Sequence, residues 1–120
     1  RTMGKKILIV DDNPNMSSLL CEMLEVFDYE SVRANDGRQA LDALAKEPFA
    51  MVITDMRMPN MTGLELLKEV KDRHPKIPVV LISGYSVAEI EAGANGLKPD
   101  GFLGKPLMMS DIERLLNTLL

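Results

Sequence analysis

The chain is poor in cysteine and histidine. It carries one cysteine, Cys21, and one histidine, His74, among 120 residues. A lone cysteine excludes an intrachain disulfide, and without a second cysteine or histidine no zinc site can be assembled in the usual way. A reducing cytoplasm is the natural setting for such a chain. Nowhere do about 18 apolar residues follow one another, so no segment is expected to cross a membrane as a helix. The charged, apolar and small-residue order of a secretory signal is also missing. Lys and Arg number 14 against 18 Asp and Glu, giving a net charge of -4, and the cations are scattered. Phosphate-backbone recognition needs them clustered, which argues against a nucleic-acid surface.

What remains is an ordinary globular composition, 46% apolar and 27% charged. The length suits one core and is too short for two domains. Arg1 to Met3 read as a remnant outside the domain, which is expected to occupy residues 4–120. The chain alternates short apolar runs with amphipathic stretches. Lys6-Ile7-Leu8-Ile9-Val10 is a buried-strand run that ends on Asp11-Asp12. Asn13-Pro14 then opens a helix, with Met16, Leu19, Leu20, Met23, Leu24 and Phe27 as its apolar stripe and Ser17, Ser18, Glu22 and Glu25 on the wet side.

Tyr29 to Ala34 is too polar at its ends for a central position and reads as an edge strand. Asp36-Gly37 marks a turn into a second helix lined by Ala40, Leu41, Leu44 and Ala45, and Pro48 stops it. Phe49 to Asp55 is the next apolar run, closed by one carboxylate. After the loop Met56 to Met61, Thr62-Gly63-Leu64-Glu65 has the form of a capping box. Ile77 to Ile82 is the most strand-like run, closing on Ser83-Gly84. A second capping box, Ser86 to Glu89, opens a weakly apolar fourth helix with Gly93 and Gly96 near its end. Gly101 to Leu103 is a short strand before Gly104-Lys105-Pro106, and Ser110 to Glu113 is expected to cap the last helix.

Strands and helices in alternation imply a three-layer α/β domain with a five-stranded, largely parallel sheet and five helices. Ligands bind such sheets beyond the carboxyl ends of the strands. Asp11, Asp12, Asp55, Ser83 and Lys105 all follow strands, so they converge on that edge. Crowded carboxylates repel by roughly 4 kcal/mol per pair at about 4 Å, for an effective dielectric constant of about 20. Lys105 can offset one charge and a divalent cation the rest; with oxygen ligands on offer, magnesium is favoured. Magnesium commonly takes one or two carboxylates together with phosphate oxygens. Asp55 is then the candidate nucleophile toward phosphorus, with Ser83 a donor to a phosphoryl oxygen.

Asp11-Asp12, Asp55-x-x-x-Pro59 with Gly63 beyond, Ser83-Gly84 and Lys105-Pro106, in this order, make the chain resemble a response-regulator receiver domain of two-component signalling. The resemblance covers residues 4–120. It implies the flavodoxin-like strand order 2-1-3-4-5, an order for which a member of this family is itself a standard example. It implies that Asp55 takes a phosphoryl group from a histidine kinase or phosphotransfer domain. Asp12 and Asp55 correspond to magnesium ligands, Asp11 acts largely through water, and the Arg57 main-chain carbonyl completes the protein ligands. Ser83 and the aromatic Phe102 correspond to the switch pair, and Lys105 to the cation on the phosphoryl oxygens. The Lys105-Pro106 bond corresponds to one that is usually cis.

Phosphorylation is then expected to alter the face formed by the fourth helix, fifth strand and fifth helix, where Met108 and Met109 offer an adaptable surface. That face is also where such domains often pair as homodimers. Phe102 lacks the tyrosine hydroxyl found in many receivers, so its inward form must rest on packing. Arg57 and Tyr85 are expected to flank the phosphoryl group and slow its hydrolysis. With Leu120 the last residue, the resemblance implies a stand-alone receiver or one from a larger regulator or hybrid kinase. Two other readings compete. One is a phosphohydrolase of the haloacid dehalogenase type, although those place an Asp-x-Asp nucleophile on the first strand and are longer. The other is a receiver-like interaction module that works without phosphorylation.

Overall fold

The computed structural model describes residues 5–84 and 98–120. The chain runs β1 (Lys6–Val10), α1 (Pro14–Val26), β2 (Glu30–Ala34), α2 (Gly37–Lys46), β3 (Met51–Asp55), α3 (Gly63–Arg73), β4 (Val79–Ser83), β5 (Gly101–Gly104) and a C-terminal helix, Met109–Leu119. The strands form one sheet in the order β2-β1-β3-β4-β5, and every neighbouring pair is parallel. The expected fourth helix, with its capping box, Gly93 and Gly96, lies outside the described residues. So does Tyr85.

Burial explains the strand order. Every residue of β3 and β4 is buried, as their unbroken apolar runs require, whereas β2 is largely polar and takes an edge. Alternation then divides the core. Ile7, Ile9, Ile53 and Ile82 face Leu20, Met23 and Leu24 of α1 and Ile112 and Leu116 of the C-terminal helix. Leu8, Val10, Val52 and Leu81 face Ala40 and Leu44 of α2 and Leu66, Leu67 and Val70 of α3. Three layers result.

Three helices start from side-chain caps shortly after β1, β2 and β3. Asn13 caps α1 by accepting from the Asn15 and Met16 amides, with Pro14 opening the helix where its missing N–H costs nothing. Asp36 caps α2 through the Gln39 amide. Thr62 and Glu65 form the expected reciprocal box at α3.

Three local expectations fail. Ala45, assigned to the apolar lining of α2, is exposed, and Ala43 packs toward the core in its place. Ser17 is buried and Leu19 is 43% exposed, the reverse of their assigned faces. The sheet takes the row Ser17, Leu20, Met23 and Leu24, and the Ser17 hydroxyl is satisfied by donating to the Asn13 carbonyl at 3.3 Å. The capping box at Ser110 also does not form. Met108 is the cap residue, extended and without a side-chain bond, and its carbonyl accepts from the Ile112 amide at 3.2 Å. Ser110 therefore lies inside the first turn, past the position from which its hydroxyl could cap.

Candidate functional site

The parallel register aligns the strand ends. Val10 pairs with Thr54, Asp55 with Ile82 and Ser83 with Gly104. The residues at or just after these pairs are the polar ones the sequence singles out. Asp55 closes β3 and is 7% exposed; Ser83 closes β4 and is also buried. Lys105 follows β5, its ammonium 3.3 Å from Asp55 Oδ1, and the Lys105-Pro106 bond is cis.

On the other side of Asp55 lie the β1 acids. Asp11 is 2% exposed, whereas Asp12 is exposed. Each of Asp11, Asp12 and Asp55 offers a carboxylate oxygen within 4.8 Å of the others. Asp11 Oδ1 accepts from the Asn13 amide at 2.9 Å, while the buried Oδ2 has no hydrogen-bond partner among the described residues. Opposite this cluster, a cleft of about 340 Å³ is lined by Asp55, Met56, Arg57, Ser83, Gly84 and Lys105. Among the described residues, Asp55 alone belongs to both the acid cluster and the cleft.

A comparison with protein families matches residues 7–117 to the response regulator receiver domain. The chain belongs to that family. PilR, a response regulator of Pseudomonas aeruginosa, is 34% identical over 116 residues, which is 97% of this chain and 26% of PilR. The receiver thus spans about a quarter of that relative's length. Among solved structures, the Vibrio cholerae chemotaxis protein CheY4 superimposes with a TM-score of 0.89 at 29% identity, covering 97% of this chain and 98% of CheY4. TrrA of Thermotoga maritima, solved in complex with Mg(2+)-BeF, gives 0.85 at 30% identity, covering 97% and 99%. The haloacid dehalogenase reading is not favoured by this membership, and the acid it would need on the first strand as nucleophile is not the one that shares the cleft.

The donor set of this receiver fits a hard divalent cation. Crowded carboxylate oxygens, one of them buried without a donor, are what such an ion satisfies and what few neutral arrangements would tolerate. Burial pushes the Asp11 carboxyl above its ordinary value. The Asn13 amide opposes that, Asp55 adds to it, Lys105 lowers it and Asp12 raises it. Added magnesium is expected to raise the melting temperature of the protein. At about 100 times the dissociation constant the gain is about 2.7 kcal/mol. A thermal scan of wild type and Asp12→Ala with and without magnesium checks this, and equal shifts would contradict it.

Phe102 stands apart. It is half-buried on β5, opposite Leu81, packs against the α2/α3 side of the core and does not line the cleft. Cys21 is half-buried, not the enclosed hydrophobe its type suggests, and its sulfur accepts from the Ser31 hydroxyl at 2.9 Å. Sequence reasoning passed over Thr54, a fully buried hydroxyl directly before Asp55. The available signal was a polar residue inside an otherwise apolar run.

Proposed function

We propose that Asp55 is the phosphoacceptor of this receiver, taking a phosphoryl group from a phosphohistidine on a histidine kinase or phosphotransfer domain. The observation that carries the reading is the double membership of Asp55, which borders the acid cluster on one side and the Lys105 cleft on the other. An Asp55 carboxylate oxygen attacks phosphorus, the bond from phosphorus to the imidazole nitrogen breaks, and the nitrogen keeps the electron pair. Asp11, Asp12, Asp55 and the Arg57 carbonyl are the groups that would hold magnesium. When bound, magnesium supplies positive charge that offsets the carboxylates and the transferring oxygens.

The remaining work falls to the chain. Lys105 pairs with the phosphoryl oxygens, moving from the carboxylate it now faces. Ser83 donates its hydroxyl to one of them, and Phe102 follows inward by packing. The receiver then assists only its own phosphorylation and dephosphorylation, in a cytoplasmic setting. Its readout is the face of β5 and the C-terminal helix, where Met108 and Met109 are exposed, toward an output domain, a target or a second copy. Arg57 lines the cleft and is expected to shield the acyl phosphate from water. Arg57→Ala should shorten the phosphoryl lifetime several-fold, about threefold or more, as followed by intact mass against time; an unchanged decay would remove that role.

Incubation with magnesium and acetyl phosphate, read by intact mass, tests the reading. A gain of one phosphoryl group that disappears in Asp55→Ala and without magnesium is expected. Rapid phosphate release with no adduct would point to a hydrolase, and no reaction to a module that works without phosphorylation.

A further inference from the structure

We propose that Thr54 is a positioning residue for the metal and phosphoryl site, acting through the main chain of the loop after β3. This rests on the reading of Asp55 as phosphoacceptor. Thr54 shares the α2/α3 side of the sheet with Val52, so its side chain lies away from the Asp55 carboxylate. It is nonetheless fully buried, and a buried hydroxyl must be placed somewhere.

Its hydroxyl donates to the Asp55 main-chain carbonyl at 3.0 Å. The Met58 sulfur lies 3.7 Å from the Thr54 hydroxyl oxygen and is a second, weaker acceptor for its one proton. The Asp55 carbonyl sits at the end of the β3–β4 pairing, which stops at Asp55 opposite Ile82. Gly63 covers it closely: a Cβ on Gly63 would collide with this oxygen. The next carbonyl, of Met56, accepts from the Gly63 amide at 2.9 Å. The carbonyl after that belongs to Arg57.

Two consecutive peptides are thus held, one by the Thr54 hydroxyl and one by Gly63, immediately before the carbonyl that would ligate the cation. Without the hydroxyl, the Asp55 carbonyl must either stay buried with one donor fewer or rotate. Rotation swings the following peptides and displaces the Arg57 carbonyl. Thr54 therefore touches no phosphoryl oxygen yet sets where a ligand points, as outer groups do around metal sites.

Isothermal titration with magnesium, on wild type, Thr54→Val and Thr54→Ser, tests this alongside thermal scans. Valine keeps the shape and removes the hydroxyl; serine keeps the hydroxyl. Magnesium affinity is expected to weaken about tenfold in the valine variant and to return toward wild type with serine. The magnesium concentration for half-maximal labelling by acetyl phosphate should shift in parallel. A valine variant that is less stable but binds magnesium as wild type does overturns the proposal, because the hydroxyl is then only structural. If valine prevents folding, Thr54→Ala replaces it against Thr54→Ser, and equal affinities overturn the proposal. Should wild type bind magnesium yet take no phosphoryl group, the phosphoacceptor reading fails and the calorimetric comparison still decides Thr54.

Discussion

Gly63→Ala is expected to lower folding stability by roughly 3 kcal/mol or more, the class of loss reserved for backbone collisions in a packed site. An added Cβ would strike the Asp55 carbonyl oxygen and come within 3.0 Å of the Met56 Cα. Both are main-chain atoms at the end of a strand buried at every position, so neither can step aside as a flexible side chain would. The Gly63 amide is also committed to the Met56 carbonyl at 2.9 Å, and Thr62 and Glu65 lock the same turn from the other side. Relief by tilting α3 would pull Leu66 and Leu67, both fully buried, off the sheet. Gly84, which lines the cleft, is the control: among the described residues nothing lies within 4 Å of where its Cβ would stand. Urea denaturation of both alanine variants checks this. Equal stabilities would mean that the approach of α3 to β3 is soft.

Asp11→Asn is expected to stabilise the magnesium-free protein while removing most of the stabilisation that magnesium brings. Folding raises the carboxyl of Asp11 above its unfolded value, chiefly by burial, so the folded state binds the proton more tightly. Between the unfolded and folded values the native state holds more protons, and its stability falls as pH rises through that window. The loss is absent below the unfolded value and complete above the folded one. Asparagine cannot ionise, so the variant should escape this loss and melt higher than wild type wherever the wild-type carboxyl is ionised. The same change removes a charge from the set that fits the cation, weakening magnesium by about tenfold or more. Melting scans across the acidic range, with and without magnesium, read both effects. A variant that melts below wild type in the absence of magnesium would show that the carboxylate is held by something other than the ion.

Most of the candidate site was legible because its polar residues are ones that apolar strands do not otherwise contain. Asp11, Asp55 and Ser83 each stand at the end of a buried run, and Lys105 follows the last strand. Parallel pairing leaves such residues nowhere to go but one edge. The strand order came from the resemblance to receivers, because alternation of strands and helices by itself does not choose among crossovers. What escaped depends on rotation and on single turns. Ser17 and Leu19 sit on opposite borders of one helical stripe, and the rotation of α1 on the sheet, which periodicity does not fix, decides which is covered. A helix that begins two residues early turns the Ser110 box into an ordinary first turn. Thr54 looked like a strand residue by its β-branched shape, and the role of its hydroxyl appears only once the Asp55 carbonyl and Gly63 are seen together. The orphaned Asp11 oxygen is likewise a matter of packing: Asp12, its neighbour, carries the same side chain and is exposed.

The identity of the carboxylate that carries the phosphoryl group is the most direct test. Asp11, Asp12 and Asp55 offer oxygens within 4.8 Å of one another, so a mass gain in the whole protein does not say which of them reacted. Borohydride reduction of the acetyl phosphate adduct, followed by peptide mass spectrometry, converts the acyl phosphate to a stable alcohol at the residue that bore it. Homoserine at position 55 alone is the expected result. Reduction at Asp11 or Asp12 with Asp55 intact would contradict the assignment of Asp55 as the reactive group.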